Sequence, residues 1–307
     1  MKTIRPNPHP LDYDWRFTEF TVNYLASLCL VGKILSVGAP TIAAKLTEQG
    51  RDVTLVDTHP IQDVKKHLRL DVNLVQPLND NFEYVVIDPP WYLDTYYRWL
   101  SWAAISSGVN TKILLSIWLD STRPLAIEEK KELFTWITSW ADIEVIKEAL
   151  SYEMPNFEKI ILENKSTNKL RHGDLAIITV KSLPKLLHYS IKGEIWHRYI
   201  FNSYQLAIKQ ENNINTSSNV ELIKLEEKNN WVWQSVSRRA PRRDKIQLWS
   251  SENEVAIVDN PSTLIELLDN LLNEDNFDIL KNHANSILEW NIPAPPYKRK
   301  MKWLQNC

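Results

Sequence analysis

Residues 84–94 read YVVIDPPWYLD, an apolar run that ends in a carboxylate, two prolines and a tryptophan. Asp88, Pro89, Pro90 and Trp91 are residue types that can hold an amine for nucleophilic attack. An amine whose lone pair is delocalised into a ring is a poor nucleophile, and it is helped by accepting hydrogen bonds from both of its N–H groups. The ionised carboxylate of Asp88, an acceptor only, can take one N–H, and the Pro89 carbonyl can take the other. The gain is mainly orientation, because holding both N–H groups aims the lone pair at an electrophilic carbon. Each proline fixes its own φ and constrains the residue before it, so the turn is stiff. Trp91 offers a flat face, and stacking on such a face contributes about 1–3 kcal/mol per base. Tyr92 extends the same wall.

The elements that would carry this turn alternate along residues 30–120. Apolar strands at GKILSVG, DVTLVD, EYVVID and TKILLSIWLD are separated by helical stretches at TIAAKLTEQG and YYRWLSWAAISSG, with a short helix expected around IQDVKKHLRL. RFTEFTVNYLASLCL before them reads as an amphipathic helix with Phe20, Tyr24, Leu25 and Leu28 near helical spacing, and AIEEKKELFTWITSW after them as a strong helix. Alternation of this kind predicts a doubly wound parallel sheet. IEVIKEALSYE, EKIILEN and DLAIITVKS then read as strands, the last two as an antiparallel pair at the end of the sheet. Past residue 185 the texture changes to short strands at EIWHRYIFNSYQLAI, WVWQSVSRR, KIQLWSS and EVAIVD, a polar loop at KQENNINTSSN, and a helix at STLIELLDNLLNE that Pro261 introduces. The expected organisation is an α/β domain over 1–184 and a smaller α+β domain over 185–307.

In an open parallel sheet, ligands bind beyond the carboxyl ends of the strands where strand order reverses. Gly38, in the turn SVGAPTIA, allows close backbone approach at a helix start. Asp57 ends the second strand nineteen residues later, a spacing suited to accepting hydrogen bonds from ribose hydroxyls. Asp71 follows HLRL, where a further acid can meet an adenine amino group.

On Asp88-Pro89-Pro90-Trp91 directly after an apolar strand, residues 14–182 resemble the class I S-adenosylmethionine-dependent methyltransferases, in particular the amino-methylating group with an Asp/Asn-Pro-Pro-aromatic motif. That group includes adenine-N6 methyltransferases of nucleic acid and some lysine methyltransferases of protein. The resemblance implies a Rossmann-like methyltransferase sheet, mostly parallel with an antiparallel terminal hairpin. It implies S-adenosylmethionine as cofactor, with Asp88, Pro89 and Trp91 holding the target amine and Asp57 the cofactor ribose. It also implies that Phe17 and Thr18 in WRFTEFT touch the cofactor, although glutamate stands where that family often has proline. The glycine loop departs from the pattern, since Gly38 alone remains and Ser36 stands where an acid is common. NPHPLDYDWRFTEFT and the same Asp-Pro-Pro-aromatic run also resemble the branched-chain polyamine synthases, which share the fold and transfer an aminopropyl group from decarboxylated S-adenosylmethionine. Their run of acids after the first-strand glycine is replaced here by GAPT. Three readings therefore stand: N-methyl transfer to adenine N6 or another amine, aminopropyl transfer, and a binding protein that has kept the fold without the reaction.

The chain of 307 residues has 13 tryptophans but 6 glycines, and its net charge of −2 excludes a wholly basic nucleic-acid glove. A local patch remains possible in SRRAPRRDK, where Arg238, Arg239, Arg242 and Arg243 lie near aromatics and suit phosphate and base contacts, or equally form a solvated hairpin loop. The tail YKRKMKW is also basic, and the acidic outer face of the 263–275 helix suits a protein partner. Two cysteines without a shared motif fit a reducing cytoplasm, and no apolar run is long enough for a membrane span. The seven histidines form no metal motif, and His197 reads as a buried, hydrogen-bonded histidine.

Overall fold

A computed structural model describes residues 6–12, 14–162, 171–188, 193–211, 219–224 and 243–306. The chain forms two compact units. The first is built from Arg16–Glu153 and the later segment Lys169–Ser190; the second takes Ile191–Cys307 together with Arg5–Trp15 and Met154–Asn168. The units are thus discontinuous, with Arg5–Trp15 and Met154–Asn168 grouped with the second.

The first unit holds β1 (Arg16–Phe17), α1 (Glu19–Leu28), β2 (Ile34–Val37), α2 (Pro40–Glu48), β3 (Val53–Val56), β4 (Lys66–Leu68), β5 (Tyr84–Ile87), α3 (Leu93–Ser107), β6 (Lys112–Ile117), α4 (Ala126–Thr138), β7 (Ala141–Glu153) and β8 (Arg171–Val180). The sheet order is β1-β7-β8-β6-β5-β2-β3-β4. Strands β4, β3, β2, β5 and β6 run parallel, β8 is antiparallel to both β6 and β7, and β1 is antiparallel to β7. Strand order reverses at β2, between β3 and β5. Every residue of β2 and β5 is buried, as expected of central strands covered on both faces. Trp102 on α3 and Trp118 after β6 are fully buried in the core that these strands share.

Local chemistry sets the ends of the helices. Thr18 caps α1 by accepting from the Thr21 N–H, Pro40 starts α2, and Gly108, at φ 96°, closes α3. The amphipathic reading of α1 holds for Leu25, but Phe20 is 73% exposed, and Val22 and Ala26 face the core instead. Among the described residues three segments differ in type from their expected elements. Arg16–Phe17, expected at the start of a helix, is strand β1, paired with β7. Lys66–Leu68, expected in a helix, forms β4 because pairing with β3 offers its backbone a ladder. Asn156–Leu162, read as a strand, is a helix, α5, and belongs to the second unit. The antiparallel hairpin partner of β8 is accordingly β7.

The second unit carries a six-stranded antiparallel sheet formed by β9 (Ile195–Phe201), β10 (Tyr204–Lys209), β11 (Leu222–Lys224), β12 (Leu248–Ser250), β13 (Val255–Val258) and β14 (Lys300–Asn306). Its order is β11-β13-β12-β10-β9-β14. Helices α6 (Pro261–Glu274) and α7 (Asp278–His283) complete the unit, and α6 supplies Leu264, Leu267, Leu268 and Leu271 to the apolar core. Asn260 caps α6 ahead of Pro261. The basic tail runs into strand β14, which from Lys300 to Asn306 pairs with β9 along its whole length. Among the described residues, no helix is long and apolar enough to cross a membrane.

One buried ion pair pins α4 to the first sheet. Lys130 on α4, 6% exposed, reaches Asp174 on β8 at 2.9 Å and also contacts Asp120. Burial pushes the Asp174 carboxyl up, but the Glu148 N–H, Lys130 and Lys147 outweigh it and hold the group below its ordinary range. Its depressed native value stabilises the fold above the unfolded-state value of about 3.9, and that contribution is lost as pH falls through the native value. Asp174→Ala leaves Lys130 with Asp120 alone, and we expect urea unfolding at pH 7 to show a loss of about 3 kcal/mol. The loss should shrink as the buffer is taken below pH 4.

Candidate active site

Strand register delivers the chemistry to one edge. Val37 pairs with both Val56 and Ile87, so the next residues, Gly38, Asp57 and Asp88, leave three neighbouring strands at the same level. This is the carboxyl edge at the point where strand order reverses, and sequence reasoning placed all three there. Ile87 pairs in turn with Leu115, which puts Ser116 beside Asp88. The Ser116 hydroxyl donates to Asp88 Oδ1, and the Tyr152 hydroxyl donates to the same oxygen at 3.1 Å. The Asp88 N–H donates to the Val37 carbonyl at 3.2 Å, tying the turn to β2.

Tyr152 lies on β7, two strands beyond β6, yet it reaches Asp88. It passes over Gly173 on β8. A Cβ there would press on the Ile117 carbonyl at 3.0 Å and touch Tyr152 Cε2 at 3.4 Å and Trp91 Cζ2 at 3.6 Å, so both rings pack closely on the bare strand. Trp91 meets Tyr152 edge-on, with ring centroids 5.8 Å apart, and Phe17 packs on Tyr152 at 4.8 Å. Burial and the nearby Asp88 charge hold the Tyr152 phenol well above its ordinary range, and the same two causes act on Tyr96. Tyr96 donates to the Ser116 carbonyl at 2.8 Å and so fixes that residue from behind. Tyr152, Ser116 and Tyr96 were not found from the sequence. The nearest thing to a signal for Tyr152 is Gly173, a glycine in the polar start of β8 in a glycine-poor chain.

Pro89 is buried, and the Pro90 carbonyl accepts the Tyr92 N–H at 2.7 Å, which closes the turn into α3. Trp91 and Tyr92 are half-buried. Phe17 and Thr18 come to the Asp88 side of the edge. Phe17 stacks on the tyrosine that holds Asp88, and Thr18, besides capping α1, shares a 2.6 Å hydrogen bond with the Ser151 hydroxyl next to that tyrosine. Asp57 Oδ1 accepts the His59 N–H at 2.8 Å and lies 3.2 Å from His59 Nδ1. Asp71 Oδ1 accepts the Asn73 N–H at 2.9 Å; burial raises its carboxyl above the ordinary range against the pull of Asn73 and Arg98. Trp99 Nε1 donates to Asn73 Oδ1 at 3.0 Å, and the same indole covers Gly38.

The basic features divide. Arg238, Arg239 and Arg242 lie outside the described residues. Arg243 is buried in the second unit, its guanidinium 5.5 Å over Trp249, so it does not stand in an exposed patch as the sequence suggested. The tail lysines meet the acids of α6 and its cap: Lys300 pairs with Asp275 at 3.0 Å and Lys302 with Asp269 at 2.6 Å. His197 is half-buried with Nε2 3.2 Å from Gln210 Oε1, and burial lowers its imidazole below the ordinary range. Among the described residues, no group of three or more His, Cys, Asp or Glu is placed to hold a metal ion.

No family model and no curated protein matches the chain. Solved structures do. A branched-chain polyamine synthase mutein from Thermus thermophilus, in complex with N4-aminopropylspermidine and 5'-methylthioadenosine, is 13% identical with a TM-score of 0.51, over 62% of this chain and 64% of that one. This chain therefore spans less than two thirds of the synthase. A 16S rRNA N2 G1207 methyltransferase from T. thermophilus, in complex with AdoMet and guanosine, is 13% identical over 69% of this chain and 55% of that one, with a TM-score of 0.37. Magnesium protoporphyrin IX methyltransferase from Synechocystis PCC 6803, with bound SAM, is 8% identical over 52% and 78%, with a TM-score of 0.36. At these identities the likeness is one of architecture. With its reversal at β2 and the antiparallel β8 between β6 and β7, the first unit has the Rossmann-like methyltransferase fold.

Proposed function

We propose that the chain is an S-adenosylmethionine-dependent N-methyltransferase whose target is an amino group, with adenine N6 in nucleic acid the best fit and a protein lysine the lesser one. The observation that carries this reading is the Asp88 carboxylate, held by two hydroxyls at the reversal point of the sheet, level with Gly38 and Asp57. In this reading Asp88 accepts one N–H of the amine, the Pro89 carbonyl accepts the other, and Trp91 and Tyr92 bound the ring.

The residues on the cofactor side fit such a molecule. Asp57 and Asp71 are carboxylates, suited to ribose hydroxyls and an adenine amino group. Helix α2 begins at the same edge, two residues after Gly38, and the positive end of its dipole suits the cofactor carboxylate. Bound there, the cofactor supplies an electrophilic methyl carbon. The place a Cβ would take at Gly38 is filled by Trp99, 2.7 Å from that position, so the glycine is required by the indole as well as by its φ of 63°. Trp99 compensates for the missing glycines by furnishing a solid wall beside the one that remains.

Nucleic-acid contact through Arg238, Arg239 and Arg242 and a protein partner for the second unit belong to the same proposal. Aminopropyl transfer is the second reading, favoured by the fold shared with the polyamine synthase and opposed by GAPT after β2. Calorimetry with S-adenosylmethionine against its decarboxylated form separates the two, and affinity for neither leaves a binding protein.

Asp88→Ala should reduce methyl transfer by at least about 100-fold while changing cofactor affinity less than about threefold, as read by radiolabel transfer and calorimetry. Full activity in that variant removes the assignment. Gly38→Ala should destabilise the first unit by about 1–3 kcal/mol through backbone strain and overpacking. Combined with Trp99→Ala the penalty should be less than additive by about 1 kcal/mol, which a double-mutant cycle of urea midpoints measures.

A further inference from the structure

We infer that the Ser116 and Tyr152 hydroxyls make this site selective for amines that arrive uncharged, so that it takes a planar arylamine and refuses an alkylammonium. The inference rests on the amine-transfer reading above and concerns which amine that site accepts. Its foundation is that one carboxylate oxygen, Asp88 Oδ1, accepts two donated hydrogens, from Ser116 and from Tyr152 at 3.1 Å.

Both donors are fixed. Ser116 is 2% exposed and anchored through its carbonyl to the Tyr96 hydroxyl. Tyr152 is 1% exposed, wedged between Phe17 and Trp91 above Gly173. Hydrogen bonds donated to a carboxylate stabilise its charged form. An oxygen that takes two of them is committed to accepting hydrogen bonds and is a poor sink for a whole proton.

That distinction separates the two kinds of amine. An alkylamine, with a pKa near ~10, reaches the site at neutral pH as an ammonium whose lone pair is occupied by a proton. It must give that proton to a base before it can react. An arylamine arrives neutral, with two N–H groups to donate and its lone pair needing only alignment. Its nitrogen forms the new carbon–nitrogen bond as the leaving group takes its bonding pair, and the cationic nitrogen then sheds one N–H proton to water.

Neighbouring carboxylates support the same selection. A polycation is held by carboxylates whose charge is not already matched by a cation, and Asp120 and Asp174 are paired with Lys130 and Lys147. Ser116 and Tyr152 are positioning residues, acting on the substrate through Asp88.

The test measures methyl transfer from labelled S-adenosylmethionine to a single-stranded adenine-containing oligonucleotide and to spermidine, from pH 4 to 9. Wild type should favour the oligonucleotide at pH 7 by at least about 100-fold. Tyr152→Phe, which keeps the ring, and Ser116→Ala should each move the acid limb of kcat/KM to higher pH by about one unit. Each should also narrow the preference, with the larger loss in kcat than in KM. Should Tyr152→Phe fail to fold by circular dichroism, Ser116→Ala carries the test on a site of nearly unchanged volume. Wild-type preference for spermidine, or folded variants with the wild-type pH profile and preference, overturns the inference while leaving amine transfer in place. Transfer to no amine at all overturns the underlying reading and the inference with it.

Discussion

A buried strand that ends in a carboxylate must supply that carboxylate with donors, because an unpaired charge at the border of a core is costly. Asp88 meets this requirement with two hydroxyls on one oxygen, and much of the local architecture follows from reaching them. Ser116 is close by register alone. Tyr152 has to cross a strand, and it does so packed against the backbone of β8 at Gly173. Phe17 and the Thr18–Ser151 hydrogen bond hold the segment that carries Tyr152 against α1. The residues expected at a cofactor are in this way also the residues that stiffen the amine-side carboxylate.

Gly38 shows a similar coupling from the other direction. A glycine after the first parallel strand is usually explained by close approach of a ligand. In this chain its φ and the indole of Trp99 both exclude a side chain, whatever binds. The conformational freedom of one glycine serves the wall and the loop at once. A sequence with so few glycines can therefore keep the turn while discarding the rest of the motif, since backbone N–H groups at the start of α2 do not need glycine on either side.

Much of this was legible in advance, and the failures have physical reasons. Asp88, Gly38 and Asp57 were found because each directly follows a short apolar strand, and the parallel sheet aligns strand ends. Lys66–Leu68 was misread because its residues carry no strand pattern, and only pairing with β3 makes it a strand. EKIILEN has an apolar run short enough for either element, an ambiguity that periodicity does not resolve; its first residues are helical. Tyr152 was missed because its role depends on topology, on the way β7 and β8 are folded beside β6. The partners of the basic tail were not legible, since nothing in YKRKMKW announces that β14 sets Lys300 and Lys302 against Asp275 and Asp269.

The same pairing bears on recognition. Lys300 and Lys302 of the second unit's tail are matched by Asp275 and Asp269, and beside the first sheet Lys130 and Lys147 are matched by Asp120 and Asp174. In the proposed reading, selectivity rests on shape and aromatic contact. Tryptophan abundance alone does not signal this, because Trp102, Trp118, Trp196 and Trp249 are fully buried and serve as core volume. Trp91 differs in position: it is half-buried and stands edge-on to Tyr152, directly after the carboxylate and the two prolines. A flat face beside a fixed acceptor suits the flat amine of the proposed reading, and the turn that carries both owes its stiffness to Pro89 and Pro90.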